Sequence, residues 1–98
     1  NAKQALERLA ALQGEVDTLD RQIKEGLAER DQVARDQERL RENLKSVPAG
    51  SDMAKRYLAT LKTQEDRLDK VRTAEEDARQ KLSTAKAALS DAIAKLEL

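Results

Sequence analysis

The sequence predicts an all-α protein, a long antiparallel two-helix coiled-coil hairpin. Three observations predict this fold. The chain of 98 residues is 39% charged and 39% hydrophobic, with one tyrosine as its only aromatic residue, a composition typical of long exposed helices. Its apolar residues recur at steps of three and four over most of its length. The only proline lies near the middle, two residues before a glycine, where a helix would have to stop.

The first predicted helix covers about residues 3–46. Its apolar residues form a heptad seam, the row of side chains that faces a partner helix. Gly26, Arg30 and Gln37 occupy the same frame, so the register continues through three residues that are poor seam formers. The apolar members of this seam are Ala5, Leu9, Leu12, Val16, Leu19, Ile23, Val33, Leu40, Leu44 and Val47.

The predicted turn covers residues 47–51. Pro48 has no backbone N–H and disfavours helical geometry in the residue before it, and Gly50 readily adopts a left-handed backbone. Ser51 can cap the next helix through its hydroxyl, and Asp52 lies favourably at the positive end of the helix dipole. The chain therefore reverses direction here.

The second predicted helix covers about residues 52–97, and no proline or glycine interrupts it. It carries a heptad seam of its own, which includes two polar residues. The members of this seam are Ala54, Tyr57, Leu61, Gln64, Leu68, Val71, Glu75, Ala78, Leu82, Ala85, Leu89, Ala92 and Leu96.

The two seams agree on one antiparallel register, in which the numbers of facing residues add to 101. This register brings Gln37 opposite Gln64, as expected of a buried amide pair that specifies alignment. It also brings Gly26 opposite Glu75, one turn from Arg30. We therefore expect a partly buried ion pair between Arg30 and Glu75 as a second mark of the register.

Four large apolar residues lie beside the seam, where a single partner helix covers them only in part. They are either the flanks of the seam or the contacts of a second copy, which would convert the hairpin into a four-helix bundle. These candidate oligomer contacts are Leu6, Leu27, Leu58 and Ile93.

The composition argues against catalysis and against small-molecule binding. The chain has no histidine and no cysteine, so the usual nucleophile and base pairs and cysteine metal sites are excluded. Carboxylates such as Asp66 and Asp69 lie among lysines and arginines and are expected to be solvated surface charges. We predict no enzymatic activity, no cofactor, no metal and no small-molecule substrate. No apolar run approaches the ~20 residues of a membrane span, so no membrane insertion is expected.

The surface around the turn is locally basic, and Arg39, Arg41, Arg56 and Tyr57 are its candidate contact residues. One alternative function is a nucleic-acid-contacting arm similar to the coiled-coil arm of seryl-tRNA synthetase. However, lysine plus arginine equals aspartate plus glutamate at 19 each, so overall charge does not favour nucleic acid.

A second alternative is a hairpin of the periplasmic adaptor type, whose tip docks an outer-membrane channel through an arginine, a leucine and a serine. Arg41, Leu44 and Ser51 look similar to that set, although the spacing from arginine to leucine is one residue shorter.

Three stretches around the turn, 36–44, 55–58 and 61–68, resemble the C-terminal coiled coil of the mucoidy-inhibitor-A-like bacterial proteins. The function of that family is unknown. The resemblance implies a hairpin appended to a β-rich domain in a bacterial protein of the cell envelope or periplasm. We therefore expect the chain to be a segment of a larger protein, in which it acts as a structural or protein-interaction module that contacts a protein partner or a second copy.

Overall fold

The computed structural model of the protein describes residues 1–96 and contains two α-helices. Helix α1 spans Ala2–Lys45 and helix α2 spans Asp52–Leu96, and no strand occurs within these residues. The predicted two-helix hairpin is confirmed. The observed bounds of α1 differ from the predicted ones by one residue, and α2 starts at the predicted residue. Residue 97, where the second helix was predicted to end, lies outside the described range.

Short polar segments cap the starts of both helices. The N–H of Gln4 donates to Asn1 Oδ1 at 2.9 Å, which satisfies one of the unpaired donors of the first turn of α1. At the start of α2, the N–H of Ala54 donates to the hydroxyl of Ser51 at 3.1 Å. Asp52 lies in that first turn, as the dipole argument predicts. The predicted cap at Ser51 is therefore confirmed.

The turn between the helices is closed by its own backbone. The N–H of Ser51 donates to the carbonyl of Pro48 at 3.2 Å, which makes a four-residue β-turn. Gly50 occupies the third position with a φ of 77°, the left-handed geometry that glycine adopts without steric cost. Gly50 supplies the left-handed geometry of this turn, and Pro48 supplies the carbonyl oxygen that closes it.

The chain forms two compact units, each built from parts of both helices. Unit 1 combines Asn1–Glu25 with the part of α2 from Glu75 onward. Its core consists of seam residues from both helices, and the buried ones are large on α1 and alanines on α2. These core residues are Val16, Leu19, Ile23, Ala78 and Ala85, with Leu82 and Leu89 packed against them.

Unit 2 covers Gly26–Ala74 and includes the turn. Leu40, Ala54, Val71 and the polar Gln37 are its buried seam residues. The other apolar seam residues of this unit are half-buried, namely Val33, Leu44, Val47, Tyr57, Leu61 and Leu68. The thin two-helix layer covers its seam from one direction only, so few side chains are enclosed fully.

Contacts across the seam of unit 2 confirm the predicted register. In an antiparallel coiled coil whose seam numbers add to 101, pairs on one side of the seam add to 96 and pairs on the other side add to 106. Glu29 and Arg67 add to 96 and are hydrogen-bonded, and Arg41 and Glu65 add to 106 and lie 3.9 Å apart. A register shifted by one heptad would change both values by seven, so these pairs exclude it.

One predicted seam position differs from expectation. Leu96 is 40% exposed, whereas the remaining seam residues are buried or half-buried. The register places Leu96 opposite Ala5, and the single methyl group of alanine covers little of a leucine side chain. The side chains of the unit 1 seam are therefore less well covered at this end.

Candidate interaction surface

Gln37 is the only buried polar residue among residues 1–96, and its side chain is hydrogen-bonded across the seam. Its Nε2 donates to Oε1 of Glu65 at 2.8 Å, while the residue is only 4% exposed. The sequence predicts Gln64 as its partner, but the amide donates to the adjacent residue instead. A carboxylate is the stronger acceptor, and Glu65 reaches the seam from its edge.

Gln64 faces the seam without completing its hydrogen bonds. Its Oε1 is buried and has no hydrogen-bond donor within the described residues. A buried carbonyl oxygen without a donor costs about 1–3 kcal/mol. The polar layer of Gln37 and Gln64 therefore exists as predicted in position, but only one of its two amides is satisfied.

The predicted ion pair between Arg30 and Glu75 stays a prediction. Arg30 is half-buried in unit 2. Glu75, in unit 1, accepts a hydrogen bond from Nε of Arg79 at 2.9 Å, and its side chain is only 14% exposed. The space beside Gly26 faces Val71, since a β-carbon added to the glycine would lie 3.7 Å from Val71 Cγ1.

The strongest ion pair across the seam is one that the sequence analysis did not single out. Arg67 donates to Glu29 through both Nε, at 2.6 Å, and Nη2, at 2.7 Å. These bonds lower the pKa of the Glu29 carboxyl, an effect that desolvation opposes, and raise the pKa of Arg67. Opposite charges at residue numbers adding to 96 are the sequence signal that could have identified this pair.

The four residues proposed as tip contacts do not form one exposed cluster. Tyr57 is half-buried in the seam. Arg39 lies 3.8 Å from Asp36 and Arg41 lies 3.9 Å from Glu65, and both arginine side chains remain well exposed. Arg56 has no carboxylate within ion-pair distance among residues 1–96. Of these four residues, the three arginines are therefore the exposed ones.

The four predicted oligomer contacts are all exposed. Leu6 is 59%, Leu27 40%, Leu58 57% and Ile93 44% exposed. Each follows a seam residue of the type called d in the heptad, so each occupies position e. In unit 2, this is the side of the seam where Arg41 and Glu65 meet. Leu6 and Ile93 belong to unit 1, and Leu27 and Leu58 belong to unit 2.

Met53 is a further exposed apolar residue, at 45%, that the sequence analysis did not place on the surface. It precedes the seam residue Ala54, which puts it on the opposite side of the unit 2 seam from Leu27 and Leu58.

In unit 2 the e side also contains a groove beside the seam. Its lining residues are Leu27, Arg30, Asp31, Ala34, Leu68 and Arg72.

The residues similar to the adaptor motif have other structural roles here. Ser51 uses its hydroxyl to cap α2, and Leu44 is a half-buried seam residue. Arg41 lies beside Glu65 at 3.9 Å. Ser51 and Leu44 therefore stabilise the hairpin itself.

The described residues contain no cluster of three or more histidine, cysteine, aspartate or glutamate side chains with the geometry of a metal site. Asp66 is paired with Lys62 at 3.2 Å, and Asp69 lies 3.7 Å from Arg72. Within residues 1–96, neither helix is apolar over a length sufficient to cross a membrane.

Comparison with known proteins adds no assignment. The chain matches no protein-family model, no curated protein and no solved structure. The resemblance to the mucoidy-inhibitor-A-like coiled coil therefore stays a prediction.

Proposed function

We propose that the chain is a non-catalytic coiled-coil hairpin that serves as a structural and protein-interaction module of a larger bacterial protein. The observation that carries this proposal is that each unit exposes large apolar side chains at position e beside its seam. Leu58, at 57% exposed, is the most accessible of them in unit 2. Apolar side chains at repeated positions beside a seam are typical of a surface that another helix covers.

The charge pattern of the helices also supports a protein partner. The outer faces carry oppositely charged pairs one turn apart, such as Lys81 with Asp77 at 3.0 Å and Lys95 with Asp91 at 2.9 Å. Such pairs keep a helix soluble and contribute little energy each. A set of stacking aromatics, which is typical of contacts with single-stranded nucleic acid, does not accompany them, since Tyr57 is the only aromatic residue of the sequence.

Site-specific photo-crosslinking in the cells that produce the protein tests this proposal. A photoreactive amino acid replaces Leu58 or Leu27, and Thr73, an exposed residue on the outer face of α2, is the matched control. We expect discrete protein adducts from the two leucine positions and none from the control. Mass spectrometry then distinguishes adducts with a second copy from adducts with another protein.

Two outcomes would contradict the proposal. Adducts that disappear after nuclease treatment would identify nucleic acid as the partner. The absence of any protein adduct from both leucine positions, with normal levels of the protein, would remove the interaction surface altogether.

A further inference from the structure

One surface of unit 2 carries two oppositely charged halves. This surface, called the e face here, consists of the e residues and the adjacent b residues of both helices, where b directly follows seam position a. Its half nearest the turn is basic, with four exposed cations, and its other half is acidic, with four exposed carboxylates. The cations are Arg41, Lys45, Lys55 and Lys62, and the carboxylates are Asp31, Glu38, Glu65 and Asp69.

The charges of the e face are only partly neutralised within one copy, where Lys45 pairs with Glu42 at 3.0 Å and Lys62 pairs with Asp66 at 3.2 Å. Lys55, Asp31 and Glu38 have no ion pair within the described residues. Arg41 and Glu65 make the one contact between the two halves, at a long distance of 3.9 Å, and their side chains are 60% and 58% exposed. Pairs of this kind contribute little and exchange partners readily. Arg72 is a cation in the acidic half, and it lies 3.7 Å from Asp69.

An apolar projection and an apolar groove accompany the two halves. Leu58 lies in the basic half and is 57% exposed. The groove lies in the acidic half, where Leu27, Ala34 and Leu68 form its apolar wall. Ala34 leaves room there because its side chain is a single methyl group. The apolar projection therefore lies in the basic half of the e face, and the apolar groove lies in the acidic half.

This arrangement is self-complementary under a twofold rotation. The seam register places Leu58 level with residue 43 of α1, nine residues from Ala34, which is roughly 14 Å at the rise of an α-helix. A twofold axis midway between them passes close to Glu38 and Lys62. Rotation about it places each Leu58 over the groove of the other copy and each basic half over an acidic half. Such isologous contacts close after two copies.

We propose that two copies of this chain associate antiparallel through the e face of unit 2, with Leu58 of each copy seated in the groove of the other. This inference rests on the proposed function and names its partner as a second copy. Apolar burial of Leu58 supplies affinity, and the charge halves set the antiparallel orientation. A parallel arrangement would place the four cations of one copy against those of the other.

Sedimentation over a wide concentration range is the first test. We expect a concentration-dependent dimer whose dissociation constant rises about tenfold or more in Leu58→Asp. Met53→Asp is the matched control, since Met53 is 45% exposed and lies outside the e face. Circular dichroism verifies that both variants remain helical. A chain that is monomeric at all concentrations, or a dimer that Leu58→Asp leaves unchanged, overturns the proposal.

Charge reversal tests the role of the two halves. The variant Lys55→Glu with Lys62→Glu makes the e face mainly acidic, with Arg41 and Lys45 left as cations of the former basic half, and the variant Asp31→Lys with Glu38→Lys makes it largely basic. Each variant alone is expected to be monomeric, and an equimolar mixture is expected to form a heterodimer. If both variants dimerise alone as well as the unchanged chain does, the charge halves have no role.

Cysteine crosslinking tests the orientation, since the chain has no cysteine of its own. A mixture of Leu58→Cys and Ala34→Cys chains is expected to crosslink more than either chain alone. Preferential crosslinking between two Leu58→Cys chains would show a parallel dimer and contradict the inference. If the dimer is not found but photo-crosslinking gives adducts with another protein, this inference fails and the proposed function stands. If photo-crosslinking gives no protein adducts at all, both fail.

Discussion

Arg67 of α2 holds the carboxylate of Glu29 of α1 through two parallel hydrogen bonds, from Nε at 2.6 Å and from Nη2 at 2.7 Å. This paired geometry joins the two helices of unit 2 at one side of the seam. Bidentate bonds between arginine and a carboxylate are shorter and more directional than ordinary surface ion pairs. Of the ion pairs described, this one is therefore the most informative about pH dependence.

The Glu29–Arg67 pair predicts a loss of stability in acid. The hydrogen bonds lower the pKa of Glu29 in the folded state, so the pair contributes fully above the carboxyl pKa of the unfolded chain. Its contribution is lost as the pH falls through the lowered pKa. We expect the melting temperature to fall less steeply in acid for Glu29→Gln than for the unchanged chain. Parallel melting curves for both proteins between about pH 6 and pH 2 would contradict this.

Replacement of Gln64 by leucine is expected to stabilise the hairpin. The change removes a buried Oε1 that has no donor and adds apolar contact in the seam. We expect a gain of about 1 kcal/mol or more in the free energy of unfolding, measured by urea denaturation. Gln37→Leu is the control, because it removes the hydrogen bond to Glu65 and should gain less. A lower stability for Gln64→Leu would show that this oxygen has a partner in solution.

Alanine substitution should have opposite effects at two glycines. Gly50→Ala forces a β-carbon into a backbone with a φ of 77°, so we expect a loss of about 1 kcal/mol. Gly14 lies within α1, where an added β-carbon would meet nothing within 4 Å. Gly14→Ala should therefore gain about 1 kcal/mol from helix propensity. Thermal unfolding followed by circular dichroism gives both signs, and equal signs would contradict the assigned turn.

Removal of the cap at Ser51 tests the start of α2. The hydroxyl accepts from the N–H of Ala54, and its loss leaves that donor to water. We expect Ser51→Ala to lose about 1 kcal/mol, and Ser51→Asp to restore most of it. Ser83→Ala, at an exposed site in the interior of α2, is the control that should not destabilise. If Ser51→Asp is as unstable as Ser51→Ala, capping is not the cause.

Nucleic-acid binding by the tip is expected to be absent at physiological salt. Arg39 and Arg41 lie beside carboxylates, and the chain as a whole has no net charge. A mobility-shift titration with transfer RNA and with duplex DNA tests this expectation. A salt-sensitive shift that disappears when Arg39, Arg41 and Arg56 are changed to glutamate would instead support the nucleic-acid arm.

The sequence alone determined the hairpin, the place of its turn and its register. Each heptad seam is long enough that a shift by one residue would expose a whole row of leucines, and a shift by a whole heptad would not fit the short turn. Pro48 and Gly50 locate the reversal independently, and the observed turn uses both. These features depend on repeated local rules, which a sequence displays directly.

Only the tertiary structure decided which polar atoms meet. The register places Gln37 opposite Gln64, yet the Gln37 amide reaches the carboxylate of Glu65 and leaves Gln64 Oε1 without a donor. Likewise, the chain has 19 basic and 19 acidic residues, and the geometry of unit 2 brought Glu29 to Arg67. Side-chain reach and competition among many similar charges decide such contacts, and a heptad pattern specifies neither.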